Sequence, residues 1–148
     1  MTARAAVLYG SSRGNTRKVV ARLPEQLHFA VDVLDVAERP EPAALAPYSV
    51  LLFFASTWGD GELQKDMEAF LAGRALSLQG KRYAICELGN YYGYDDYEFG
   101  AMRIIRHHLE AAGGQELIEP FSMDSLPRKD WDGLARWCAL LNAAMEPR

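Results

Sequence analysis

The feature that most constrains this chain is an alternation, kept up from end to end, of short apolar runs with β character and segments of helical period. Ala5 to Tyr9, Phe29 to Val36, Val50 to Phe54, Tyr83 to Leu88 and Glu116 to Phe121 are the strand candidates. Val50 to Phe54 and Tyr83 to Cys86 are apolar at every position, as central parallel strands must be when helices cover both faces. Between the strands the period changes. Trp131, Leu134, Cys138, Leu141 and Met145 recur at spacings of 3, 4, 3 and 4, the buried stripe of one helix. Met102, Ile105, Leu109 and Ala112 do the same, and Gly113-Gly114 stops them. Leu63, Met67, Phe70 and Leu71 mark a shorter helix ending near Gly73. A first helix starts near Gly14, carries Val19, Val20 and Leu23, and must end or kink at Pro24.

Strand–helix alternation predicts a parallel sheet with helices on both faces, reached by right-handed crossovers. Five strands in 148 residues suit a three-layer, doubly wound α/β domain of strand order 2-1-3-4-5, with residues 1–148 forming a single domain. No repeat or linker interrupts it; Ala37 to Pro47, with three prolines, reads as a surface connection. Apolar residues at 49% and charged ones at 24% exclude a disordered or fibrous chain. The longest apolar run, Val50 to Ala55, is too short to cross a bilayer, and no apolar stretch follows Met1 as in a signal peptide. Cys86 and Cys138 have neither metal nor redox spacing and read as buried fillers. A cytoplasmic monomer is expected. The net charge of −4 weighs against nucleic acid as a partner.

In such a sheet ligands bind at the carboxyl ends of the strands, beside the switch in strand order. Three loops meet there: Gly10 to Thr16, Ser56 to Leu63 and Gly89 to Phe99. In the first, Ser11, Ser12, Arg13, Gly14, Asn15 and Thr16 offer hydroxyls, amides and a flexible glycine that can wrap N–H groups around a phosphate. No Gly-Lys-Ser/Thr follows, so it is not a triphosphate loop, and it lacks the G-x-G-x-x-G of dinucleotide sites. A monophosphate fits better, although an ordinary turn with a helix cap has the same composition. The second loop carries Trp58 at the crevice and then Gly59-Asp60-Gly61; the third packs Tyr91, Tyr92, Tyr94 and Tyr97 into seven positions. Aromatic side chains on two adjacent loops can sandwich a flat ring. They also suit a covered sheet end and a solvated loop.

GSSRGNT, STWGDGELQ and GNYYGYDDYEFGA together resemble the phosphate loop and the inner and outer ring loops of the flavodoxin family, and the resemblance covers essentially the whole chain. Leu117 to Met123 runs directly into Leu126, similar to the short-chain branch, while the Gly-Tyr-Asp-Asp of the third loop is similar to long-chain members. The resemblance implies FMN held without a covalent bond. Ser11, Ser12, Gly14, Asn15 and Thr16 would cradle its phosphate, with Ser56 closing the site. Arg13, where the family has a small uncharged residue, would pair with the phosphate or point into water. Thr57, Leu88, Gly89, Asn90, Tyr92 and Gly93 would line the flavin. Trp58 would cover the inner face of the ring. Alignment on Gly89-Asn90 selects Tyr94 for the outer face, whereas counting back from Gly100 selects Tyr97. The Gly59-Asp60 peptide, free to flip because glycine tolerates both backbone orientations, would accept the N–H that reduction creates at flavin N5. The resulting hydrogen bond is worth about 0.5–1.5 kcal/mol.

Charge is distributed to match. Residues 58–68 and 87–99 together hold eight acids, Glu87 included, and one base, so the acidity gathers at the expected flavin edge. Such a face would steer basic partners. The resemblance thus implies a low-potential electron carrier, not an enzyme. It would pass single electrons from a flavodoxin reductase-type or iron–sulfur donor to an acceptor protein docked on the acidic face. The alternative is a small FMN-dependent NAD(P)H or quinone oxidoreductase, for which the chain has little room to build a substrate pocket. A phosphoacceptor domain of the same strand order needs acids after strand one and at the end of strand three, where Gly10-Ser11 and Ser56-Thr57 stand. His28, His107 and His108 share no recognisable catalytic spacing and read as surface residues.

Overall fold

The computed structural model describes residues 4–58, 62–73, 76–89, 100–124 and 129–146. Its strands are β1 (Ala5–Tyr9), β2 (Val31–Asp35), β3 (Val50–Trp58), β4 (Glu62–Leu63), β5 (Arg82–Gly89), β6 (Gln115–Glu116) and β7 (Phe121–Asp124). Its α-helices are α1 (Asn15–Ala21), α2 (Lys65–Gly73), α3 (Gly100–Ala111) and α4 (Trp131–Met145). The parallel sheet runs β2-β1-β3-β5, with β6 and β7 both paired to β5. Counting β6 and β7 as one interrupted strand, this is the expected order 2-1-3-4-5.

Two cores follow from the alternation of side chains along buried strands. Ala5, Val7 and Tyr9 of β1, Leu52 and Phe54 of β3, and Cys86 and Leu88 of β5 pack on Val19 and Val20 of α1 and on Leu134, Cys138 and Leu141 of α4. Their neighbours in the same strands, Ala6, Leu8, Leu51, Phe53, Tyr83 and Ile85, pack on Met67 and Phe70 of α2 and on Ile105 and Leu109 of α3. Three layers result, and both cysteines are buried as fillers. Burial pushes the Cys138 thiol up to about 11 and that of Cys86 well above its ordinary value. At pH 8 only about one Cys138 thiol in a thousand is then ionised, so neither cysteine should react with a thiol reagent until the chain unfolds. Rapid stoichiometric labelling of the native protein would contradict this packing.

Several boundaries differ from expectation, and β3, expected to end at Phe54, runs on through Ser56 and Thr57 to Trp58. The fifth strand is not a continuous Glu116 to Phe121 run: β6 ends at Glu116 and β7 begins at Phe121. Pro120 has no N–H for the ladder. The Glu119 carbonyl turns instead to the Trp137 indole, which donates to it at 2.9 Å. That indole stands edge-on to Phe54 at 5.9 Å and stacks on Phe121 at 6.2 Å, holding the interruption against the core. Leu126, taken as the continuation of this strand, lies outside the described residues. β2 is shorter than Phe29 to Val36: it begins at Val31, and it ends at Asp35, which caps a 3-10 turn at Val36–Glu38 by accepting from the Ala37 N–H at 2.9 Å. Leu63 belongs to β4 rather than to the second helix. The first helix is shorter than expected: it ends at Ala21 without Leu23, which lies with Pro24 in a separate 3-10 turn over Leu23–Glu25. Among the described residues no helix is long and apolar enough to cross a membrane, and no cluster of His, Cys, Asp and Glu is placed to hold a metal.

Candidate functional site

The connections leaving β1, β3 and β5 emerge at one carboxyl edge, on either side of the point where the strand order reverses between β1 and β3. In the first connection Gly10 is buried, and its N–H donates to the Phe54 carbonyl at 3.1 Å, carrying the β1–β3 ladder one residue further. A Cβ at Gly10 would stand 2.1 Å from Gln64 Oε1 and 3.2 Å from the Met67 nitrogen. Only glycine fits. Gly14 needs glycine for its backbone instead: at φ +88° it sits in the left-handed region with nothing near its missing side chain. Its N–H donates to Ser11 Oγ at 3.0 Å. A hydroxyl that accepts in this way keeps its own proton for another acceptor. Ser12, Arg13 and Asn15 are exposed, Ser11 and Gly14 half-buried, and Thr16 buried. A glycine turn edged by hydroxyls that keep a proton to donate suits a phosphate ester.

The second connection is a hairpin. Thr57 pairs with Leu63 and Trp58 with Glu62, antiparallel. Ser56, half-buried, accepts the Gln64 N–H on its carbonyl at 2.9 Å. Gln64 has no exposure and reaches across to the loop after β1. Its Oε1 accepts the Met67 N–H at 2.9 Å, capping the start of α2, while its Nε2 donates to Asp66 Oδ2 at 2.8 Å and to Ser12 Oγ at 3.0 Å. The loop after β1 and the hairpin are thereby tied together. Gly59, Asp60 and Gly61 lie outside the described residues.

The third connection begins after Leu88 and Gly89, both buried at the end of β5. The Leu88 side chain belongs to the core shared with α1 and α4, so only its backbone is left to face a ligand. Asn90, Tyr91, Tyr92, Gly93, Tyr94 and Tyr97 lie outside the described residues. Glu87 corrects the charge reading. It is not part of an acidic surface, because it has no exposure at all. Strand alternation turns it inward, away from the side taken by Cys86 and Leu88. The Thr57 hydroxyl donates to its Oε2 at 2.6 Å and accepts the Ala101 N–H at the start of α3 at 3.0 Å. Thr57 thus spends its hydroxyl on joining β3, β5 and α3. Of the other acids in these segments, Glu62 and Glu68 are exposed, and Asp66 is half-buried against Gln64. His28 and His107 are exposed and His108 half-buried, and the rings of His107 and His108 meet edge to face at 6.1 Å. Gln64 closes the STWGDGELQ motif, but nothing in the sequence marks it as the residue that joins the two loops.

A family model described as Flavodoxin matches residues 7–135. The flavodoxin of Synechocystis sp. is 29% identical over 112 residues, which are 74% of this chain and 65% of that protein, so the match spans just under two thirds of the relative. The flavodoxin of Nitratidesulfovibrio vulgaris is 27% identical over 148 residues, covering 94% of this chain and 97% of its own length. In structure the chain is similar to a Fusobacterium nucleatum flavodoxin bound to flavin mononucleotide, with a TM-score of 0.77, 13% identity, and coverage of 98% of this chain and 100% of that one. With the sheet order, the glycine-cradled loop and a family match over most of its length, the chain belongs to the flavodoxin family.

Proposed function

We propose that this flavodoxin carries single electrons at low potential on a non-covalently held FMN, passing them between redox partner proteins. The observation that carries the reading is the junction of the first two loops at the carboxyl edge, where Gln64 ties Ser12 to the start of α2. FMN supplies a ring that accepts electrons singly; the chain supplies its binding and its surroundings. Ser11, Ser12, Gly14, Asn15 and Thr16 would hold the phosphate, and Ser56 would close the site. Trp58 and Tyr94 would cover the two faces of the ring, and the Gly59-Asp60 carbonyl would accept a hydrogen bond from an N–H at flavin N5.

Electrostatics sets the direction of the potential. A carboxylate about 10 Å from a negatively charged reduced ring costs about 1.7 kcal/mol at an effective dielectric near 20, or roughly 70 mV in a one-electron step, less in salt. Exposed Glu62 and Glu68, together with Asp60, Asp95, Asp96 and Glu98 of the neighbouring loops, therefore drive the second reduction to low potential. The same acids are the docking face for a flavodoxin reductase-type or iron–sulfur donor and for the acceptor.

A spectroelectrochemical titration of the holoprotein is the test. Two resolved one-electron steps, with the half-reduced protein accumulating between them, are expected. A single two-electron step would contradict the carrier reading, and steady NADPH or quinone turnover by this chain alone would turn it toward an oxidoreductase.

A further inference from the structure

We propose that Gln64 is a positioning residue that fixes the Ser12 hydroxyl as a hydrogen-bond donor to the flavin phosphate, and thereby sets the preference of the site for a phosphorylated flavin. The inference rests on the phosphate-loop reading above and adds a residue from the other loop to it.

The polarity is set one bond at a time. The Met67 N–H at the start of α2 can only donate, so the atom of Gln64 that faces it at 2.9 Å must be the carbonyl oxygen. The amide nitrogen is then forced to the opposite side, where it has two protons and two acceptors. Asp66 Oδ2 takes one at 2.8 Å, and Ser12 Oγ takes the other at 3.0 Å. An amide nitrogen accepts nothing, so Ser12 must be the acceptor in this contact, and its own proton is directed elsewhere. Ser12 is exposed on the loop, so that proton points to whatever the loop binds. A phosphate oxygen, which can only accept, is the partner this arrangement selects. Ser11 is prepared in the same sense by the Gly14 N–H.

The amide cannot easily rotate away. Gln64 has no solvent exposure, its backbone N–H is bound to the Ser56 carbonyl at 2.9 Å, and its carbonyl oxygen fills the space that a Gly10 side chain would occupy. Rotation would set the carbonyl against Asp66 and orphan the buried Met67 N–H. The helix cap of α2 thus dictates the orientation of a hydroxyl 52 positions earlier in the chain.

The test compares FMN with riboflavin, which lacks the phosphate, by fluorescence titration of the apoprotein. Gln64→Leu removes the donor without adding charge. It is expected to weaken FMN binding about fivefold and riboflavin binding by less than about twofold. Ser12→Ala should weaken FMN about tenfold, again sparing riboflavin. The two effects share one hydroxyl, so the double variant should fall within about twofold of Ser12→Ala alone. Equal losses for FMN and riboflavin in Gln64→Leu, or losses that multiply in the double variant, would reduce Gln64 to a purely structural residue and overturn the proposal. If Gln64→Leu does not fold, Ser12→Ala decides alone: an unchanged ratio of the two affinities overturns it. Wild-type protein that bound riboflavin as tightly as FMN would instead overturn the phosphate-loop reading itself.

Discussion

Gly10→Ala is expected to cost about 2–4 kcal/mol of stability, by displacing a buried amide from its partners. That corresponds to a thermal midpoint lower by roughly 5–15 °C for a chain of this size, with weaker FMN binding alongside. The added Cβ would fall 2.1 Å from Gln64 Oε1, which a freely swinging side chain would tolerate by moving aside. Gln64 is not free to do so. Its amide is engaged by Met67, Asp66 and Ser12, and moving it leaves the Met67 N–H and the Asp66 carboxylate short of partners. The backbone nitrogen of Met67, 3.2 Å from the same Cβ, limits movement in the other direction. Thermal unfolding of the apoprotein and holoprotein, followed by circular dichroism, checks the expectation. A midpoint within about 2 °C of the parent would show that the Gln64 amide yields without loss.

Thr57→Val is expected to have the second-largest effect, about 2–4 kcal/mol, although it changes neither volume nor shape. The hydroxyl it removes is at once the acceptor for the Ala101 N–H and the donor to Glu87 Oε2. Glu87 is wholly buried, and withdrawing a donor from a buried carboxyl is costly. The loss should also reach the ligand. Thr57 stands next to Trp58 and ties the end of β3 to β5 and to the first turn of α3, the elements from which two of the three loops depart. Denaturant unfolding measures the stability change, and Thr57→Ser, which restores the hydroxyl, should recover most of it. A valine variant as stable as the parent would show that Glu87 draws its support from elsewhere.

These two sites also mark where the sequence could be read and where it could not. The central strands and α4 were legible because their signals are unambiguous: unbroken apolar runs in β3 and β5, and a strict 3-4 spacing from Trp131 to Met145. Leu63 was not. Four residues before Met67, it matches the helical stripe as well as it matches a strand opposite Thr57, and the hairpin decides between them. The split of the fifth strand turns on the missing N–H of Pro120 and on a Trp137 indole 18 positions from the carbonyl it captures. Glu87, near the end of the fourth strand candidate, was counted with the acidic edge because a charged residue closing an apolar run is usually solvated. Its burial depends on a threonine 30 residues earlier. The three loops were found as a set because glycine, serine and aromatic residues stand out against apolar strands. The bond between Gln64 and Ser12 exists only once two loops meet, and nothing local in either segment announces it.

The central claim, that the three carboxyl-edge loops of this chain hold one FMN, is tested most directly by titrating the apoprotein with FMN and following the flavin fluorescence. The account predicts quenching that ends at a sharp break near one FMN per chain, with a dissociation constant below about 1 μM. Fluorescence rising in proportion to added flavin throughout the micromolar range, as in buffer alone, would contradict it.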